Sequence, residues 1–172
     1  RWDEQTYGAD ADDQLGPRFN LAWRVDECTR LLASWGRYQQ FEGIEELQVE
    51  DGVEDFSPAQ SADHLILGLE RDLTPEYSLR VEAYRKDYRD LRTRFESLYD
   101  PLSLAPELRW DRVALSPSSA LAEGGELLLT RKPVDAWSGW FGYAWSRVND
   151  AIDGGDVRRS WDQTHTVNLG VL

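Results

Sequence analysis

The chain has 172 residues, 30% of them charged, with 19 basic against 32 acidic side chains and a formal net charge of −13; its mean hydropathy is −0.61. So acidic a chain excludes nucleic acid as the partner, because neutralising phosphates calls for clustered Lys and Arg. No apolar run approaches the roughly 18 residues of a membrane-crossing helix, whereas crossing strands alternate apolar and polar positions and escape averaged hydropathy altogether.

Taken in chain order, segments of period two predict strands over Arg1 to Tyr7, Arg18 to Val25, Arg30 to Tyr38, Asp63 to Arg71, Tyr77 to about Phe95, Ala120 to Arg131, Trp137 to Val148 and Ser160 to Leu172. Phe19, Leu21, Trp23 and Val25 share one face against Asn20, Ala22 and Arg24. Likewise Tyr77, Leu79, Val81 and Ala83 oppose Ser78, Arg80 and Glu82, while Phe141, Tyr143 and Trp145 oppose Gly142, Ala144 and Ser146. Near the end Val167, Leu169 and Val171 oppose Thr166, Asn168 and Gly170, so each segment has one apolar and one polar or small face.

One segment reads two ways. Val81, Tyr84, Tyr88, Leu91, Phe95 and Leu98 also form a stripe at helical spacing with charged residues between them. Over residues 84–99 helix and strand both fit; the tight turn at Pro75 and the alternation that follows it favour strand.

The connections alternate in length. Asp26 to Thr29, Asp72 to Glu76 and Lys132 to Ala136 are short, with Pro75 and Pro133 setting turn geometry. Gln39 to Ala62, Glu96 to Ser119 and Asn149 to Arg159 are long and polar, and Gly8 to Pro17 falls on their side. The fold class expected is all-β: an antiparallel up-and-down meander with one plain end and one elaborated end. Outer-membrane barrels are built this way, and soluble up-and-down barrels show a milder form.

Seven stretches then resemble, in order and spacing, the distal barrel of TonB-dependent outer-membrane receptors: GPRFNLAWRVDE, LLASWGRYQQFEGIEEL, ADHLILGLERDL, SLRVEAYRKDYRDLRTRFE, AEGGELLLTRKP, WSGWFGYAWSRVND and RRSWDQTHTVNLG. No one motif is decisive; the serial match covers essentially the whole chain. The resemblance implies about eight strands, residues 1–172, of a larger transmembrane barrel of about 22 strands around a plugged lumen. The family's plug and TonB-contacting segment are not in this sequence, which is expected to be a fragment of a longer receptor.

The resemblance further implies a Gram-negative outer-membrane location and three partners. These are membrane lipid, TonB through the plug region, and a small nutrient such as a siderophore, a cobalamin-like cofactor or a glycan. Phe141, Tyr143 and Trp145 would face lipid, Trp137 and Trp140 would sit near the periplasmic girdle, and Arg24, Arg80, Glu82 and Glu126 would line a hydrated lumen. A barrel wall predicts one outward apolar band containing Trp23, Leu79, Val81, Phe141, Tyr143, Trp145, Val167 and Leu169. The alternative, a soluble antiparallel β binding module, predicts that a closed core buries them.

No enzyme motif is present: GxSxG, Walker and HExxH patterns are absent, and His64 and His165 lie far apart in sequence. Cys28 alone forms no intrachain disulfide and, with only two histidines, seeds no zinc cluster. Neither a cofactor nor a bound metal is expected. The acidic stretch FEGIEELQVEDGVEDF, with Glu42, Glu45, Glu46, Glu50, Asp51, Glu54 and Asp55, lacks EF-hand spacing and reads as a solvated loop. The loop candidates for ligand capture are Glu45, Glu46, Asp51, Asp153, Arg158 and Arg159, polar groups on the elaborated side.

Overall fold

The computed structural model describes residues 2–4, 13–43, 56–134 and 137–172. Twelve strands form: β1 (Trp2–Glu4), β2 (Asp13–Leu15), β3 (Arg18–Arg24), β4 (Thr29–Gln40), β5 (Gln60–Asp72), β6 (Tyr77–Arg89), β7 (Arg94–Ser97), β8 (Arg112–Leu115), β9 (Ser119–Val134), β10 (Trp137–Ile152), β11 (Gly155–Arg158) and β12 (His165–Val171). Eight of them make one antiparallel sheet in the order β3–β4–β5–β6–β9–β10, with β11 and β12 both pairing to β10. Each wall strand therefore pairs with the wall strand before it, which is the meander expected. Among the described residues the sheet is open, with β3 at one edge; among the same residues β1 pairs only with β2, and β7 only with β8.

Local chemistry sets the short turns. Between β3 and β4, Asp26 Oδ1 accepts the Cys28 N–H at 2.8 Å, and between β5 and β6, Thr74 Oγ1 accepts the N–H groups of Glu76 and Tyr77 at 3.2 and 3.1 Å. Side-chain oxygens thus take donors that the turning backbone cannot pair. At the other end, Asp153 and Gly154 both have positive φ, 50° and 79°, the backbone of the two-residue hairpin turn that matches strand twist.

Strand limits depart from expectation: β9 runs on through Pro133 to Val134, and β10 to Ile152, into spans expected to be links. Residues 84–99 contain no helix, yet β6 stops at Arg89, where Asp90 adopts φ 55°; Arg94–Ser97 belongs to a separate hairpin with β8. The last predicted strand begins at His165 rather than Ser160, because residues 160 and 161 form a turn. Trp140 pairs with Thr130 and Gly170 and lies on the opposite side of the sheet from its neighbour Phe141, as the alternation that sets Phe141 against Gly142 requires; the irregular register at the start of β10 lies before it, between Trp137 and Gly139.

Directly paired residues point to the same side of a sheet, so the register defines two surfaces. On one, Trp23, Leu31, Leu69, Val81, Leu127, Tyr143 and Val167 form a continuous row across seven strands. The neighbouring rows hold Leu21, Ala33, Leu67, Ala83 and Trp145 on one side, and Leu79, Leu129, Phe141 and Leu169 on the other. On the opposite surface stand Arg24, Arg30, Glu70, Arg80 and Asn168, then Ala22, Gly68, Glu82, Glu126 and Thr166. That polar surface is indented by two recesses and is in that sense the concave one. Cavities of about 370 and 380 Å³ open on it, one lined by Arg24, Arg30, Glu70 and Arg80, the other by Glu82, Glu126, Trp140 and Asn168.

Among the described residues no second layer covers the apolar surface. Trp23 is 60% exposed, Val167 64% and Leu169 72%, and the buried apolar residues described are only Ala59, Ala62, Ala120 and Ala122. A water-soluble domain would pack such a face against another element; among the described residues nothing does. All eight residues proposed for the outward band lie on this one surface, and it is not folded into a closed core. No helix among the described residues is long and apolar enough to cross a membrane.

Both rims of the band are polar or amphipathic. At the short-turn end Arg131 lies over the Trp137 ring, 3.8 Å from its centroid, donates to the Trp137 carbonyl and pairs with Glu76 at 3.5 Å. At the long-loop end the rows give way to Arg85, Glu123 and Arg147, then Arg37, Asp63 and Asp87. Asp63 holds both Arg37 and Arg89 at 2.7 Å.

Candidate ligand site at the long-loop end

Two excursions shape this end. The long link between β6 and β9 folds into a flap, the β7–β8 hairpin closed by a one-turn 3-10 segment at Pro106–Leu108. The link between β10 and β12 carries β11 and the turn that follows it. They meet around one carboxylate. Asp150, near the end of β10, is 1% exposed; its Oδ1 accepts from Arg159 Nη2 at 2.6 Å, and its Oδ2 accepts from Arg94 Nη2 at 2.7 Å and Arg159 Nε at 3.2 Å.

Arg94 comes from the flap and Arg159 from the segment after β11, so a single buried acid ties both excursions to the wall. Arg94 also donates through Nε and Nη2 to Glu96, at 3.3 and 3.1 Å. Both guanidinium carbons stand near the Trp161 ring, 5.5 and 5.6 Å from its centroid. Beside them opens a cavity of about 860 Å³, lined by Arg92, Arg94, Arg159 and Trp161, by Leu91, Phe95, Leu102 and Leu104 of the flap side, and by Glu42, Ser57 and Glu107. Its size is in the upper range for small-molecule sites.

Breaking the central knot has a defined cost. Asp150→Asn removes one charge and leaves two half-buried guanidiniums facing an amide, a loss of about 2 kcal/mol after discounting for their partial exposure. Amide exchange of Arg94 to Ser97 should then accelerate by roughly 30-fold, while exchange in β4 and β5 stays unchanged. Uniform acceleration across the sheet would mean that Asp150 stabilises the wall rather than the flap.

The flap carries its own buried acid. Asp111 Oδ2 accepts from Ser97 Oγ at 2.6 Å and from the Tyr99 N–H at 3.0 Å. The Ser97 hydrogen bond, followed by that of Tyr99, holds the Asp111 carboxyl below the usual carboxylate range. A depressed folded-state pKa contributes stability above the unfolded value, and that contribution is lost as pH falls through the folded value. The Ser97–Asp111 turn should therefore open in acid, read as faster exchange of the Tyr99 amide below about pH 4, and Asp111→Asn should remove that dependence.

The six loop candidates separate. Glu45, Glu46 and Asp51 lie outside the described residues. Asp153 sits exposed in the β10–β11 turn. Arg158 points away from the cavity and pairs with Asp162 at 2.8 Å, whereas its neighbour Arg159 turns inward to Asp150; strand alternation sends adjacent residues to opposite sides. Of the acidic stretch, Glu42 is described and buried, its Oε2 accepting the Ser57 N–H at 2.7 Å.

Arg94 and Trp161 were not among the candidates. Both fall in segments whose alternation predicts continuous strand, and only the breaks at Asp90 and after Arg158 bring them together. The two histidines face opposite surfaces: His64 packs against Tyr38 on the concave side, centroids 4.5 Å apart, and His165 pairs with Trp145 and meets the Tyr143 hydroxyl at 2.9 Å. They form no common site. Among the described residues no cluster of three or more His, Cys, Asp or Glu is arranged to hold a metal ion.

Comparison with protein-family models, with curated proteins and with solved structures finds no match to this chain.

Proposed function

We propose that the chain is part of the wall of a transmembrane β-barrel of the TonB-dependent receptor type, acting in nutrient uptake across the outer membrane of a Gram-negative bacterium. One observation carries the reading: a single-layer antiparallel meander with an uncovered apolar band on one surface and a concave, ion-paired surface on the other. Lipid satisfies the first and water the second. The seven serial sequence resemblances support the family, and the long-loop cavity supports capture of a small nutrient of the siderophore, cobalamin or glycan kind. Energy would come from TonB through the plug of the full receptor, and the chain itself has no catalytic role.

The orientation of individual tryptophans tests it. Variants retaining only Trp23 or only Trp140, with the rest of the eight tryptophans replaced by Phe, are reconstituted in vesicles containing brominated phospholipid. Strong quenching of Trp23 fluorescence with weak quenching of Trp140 is the expected result. Absence of quenching at Trp23 would make the soluble β binding module the better description.

A further inference from the structure

We infer that the long-loop cavity takes an amphipathic organic anion, an oxyanion head seated at Arg94 and Arg159 with an apolar body laid along the flap. This rests on the reading of the cavity as a ligand site, and deepens it by naming the chemistry of the ligand.

The donors argue for the head. Asp150 and Glu96 occupy Nε and Nη2 of both guanidiniums, and among the described residues Nη1 of each meets no hydrogen-bond partner. The buried acid therefore orients two charged donors around one indole and leaves one N–H₂ of each for something else. Paired guanidinium donors suit a carboxylate, phosphate or sulfonate; Asp150 and Glu96 balance the two charges, so the preference for an anion rests on the directed N–H donors rather than on net positive charge.

The apolar wall argues for the body. Leu102 is 72% exposed and Leu104 fully so, and both line the cavity with Leu91 and Phe95. Trp161 is exposed as well, offering a ring face next to the cations. A neutral polyol would leave these side chains wet; an aromatic or alkyl body covers them. Glu42 and Glu107 on the remaining wall disfavour a second anionic group there, which limits the ligand to one charged end.

The test uses 2-naphthoate, its neutral isostere 2-naphthamide, and inorganic phosphate, titrated calorimetrically into the vesicle-reconstituted chain against empty vesicles. Naphthoate should bind at least about tenfold more tightly than naphthamide, and phosphate more weakly than either, since it covers no apolar surface. Arg159→Gln should erase the preference, and Arg159→Lys should keep part of it. Equal affinity for acid and amide in the unaltered chain would overturn the inference, as would phosphate binding as tightly as naphthoate. Neither result bears on whether Trp23 faces lipid, so the barrel reading stands or falls separately.

Discussion

Val81→Arg is expected to destabilise the protein by about 2–4 kcal/mol in a bilayer, the range for a cation placed at mid-depth on the lipid side of a barrel. Val81 lies in the central row of the apolar surface, between Leu69 on β5 and Leu127 on β9. Its side chain is already 37% exposed, so in water the same substitution would change stability by no more than about 0.5 kcal/mol. The contrast is what makes the experiment informative. Thr166→Arg, on the concave surface opposite Ala144, serves as the companion and should be nearly neutral in the same bilayer. Urea unfolding of both variants in phospholipid vesicles reads the difference, and equal effects from the two would contradict a lipid-facing band.

Gly124→Val is expected to cost about 3 kcal/mol for a different reason, overpacking against atoms that cannot retreat. A Cβ at this position would stand 2.6 Å from the Trp145 carbonyl oxygen and 2.6 Å from both Cζ and Oη of Tyr84. Tyr84 and Gly124 are direct cross-strand partners, and the end of the phenol ring occupies the space a side chain at Gly124 would take. The ring could swing away; the carbonyl belongs to the β9–β10 ladder and cannot. Gly142, two strands from Tyr84 on the same concave surface, has nothing closer than 3.8 Å to its absent Cβ, so Gly142→Ala should be neutral or stabilise by about 0.5 kcal/mol. Guanidinium unfolding in detergent distinguishes the two, and a benign Gly124→Val would show that the Tyr84 contact is not maintained in solution.

Both predictions concern the wall, where the chain's alternation was most readable. Phe19 to Val25 and Val167 to Val171 show their two faces plainly because strand periodicity is local and needs no partner to declare itself. The stripe from Val81 to Leu98 was ambiguous because alternation and helical spacing coincide over its first turns. Asp90 resolves it by taking a left-handed conformation, open to Asp at modest cost, and the chain leaves the sheet there. The irregular register between Trp137 and Gly139 at the start of β10 is likewise invisible beforehand, because bulges leave no mark in a hydropathy pattern.

The candidate site was legible only in part. Arg159 was named from its setting in a polar loop, but so was Arg158, and nothing in two adjacent arginines tells which will turn inward. Arg94 and Asp150 are 56 residues apart, and their pairing depends on how far the flap folds back over the wall.

By itself, then, the sequence determined the fold class, the up-and-down order, the side each wall residue takes and which end carries the elaborate loops, because alternation, turn chemistry and connection length all act within a few neighbouring residues. Only the tertiary structure decided that no described element covers the apolar surface, that β6 ends before Asp90, and that Asp150 gathers Arg94, Arg159 and Trp161 around one cavity. Those outcomes depend on register and on long-range closure, where one residue of slip reverses a side chain and no local rule applies.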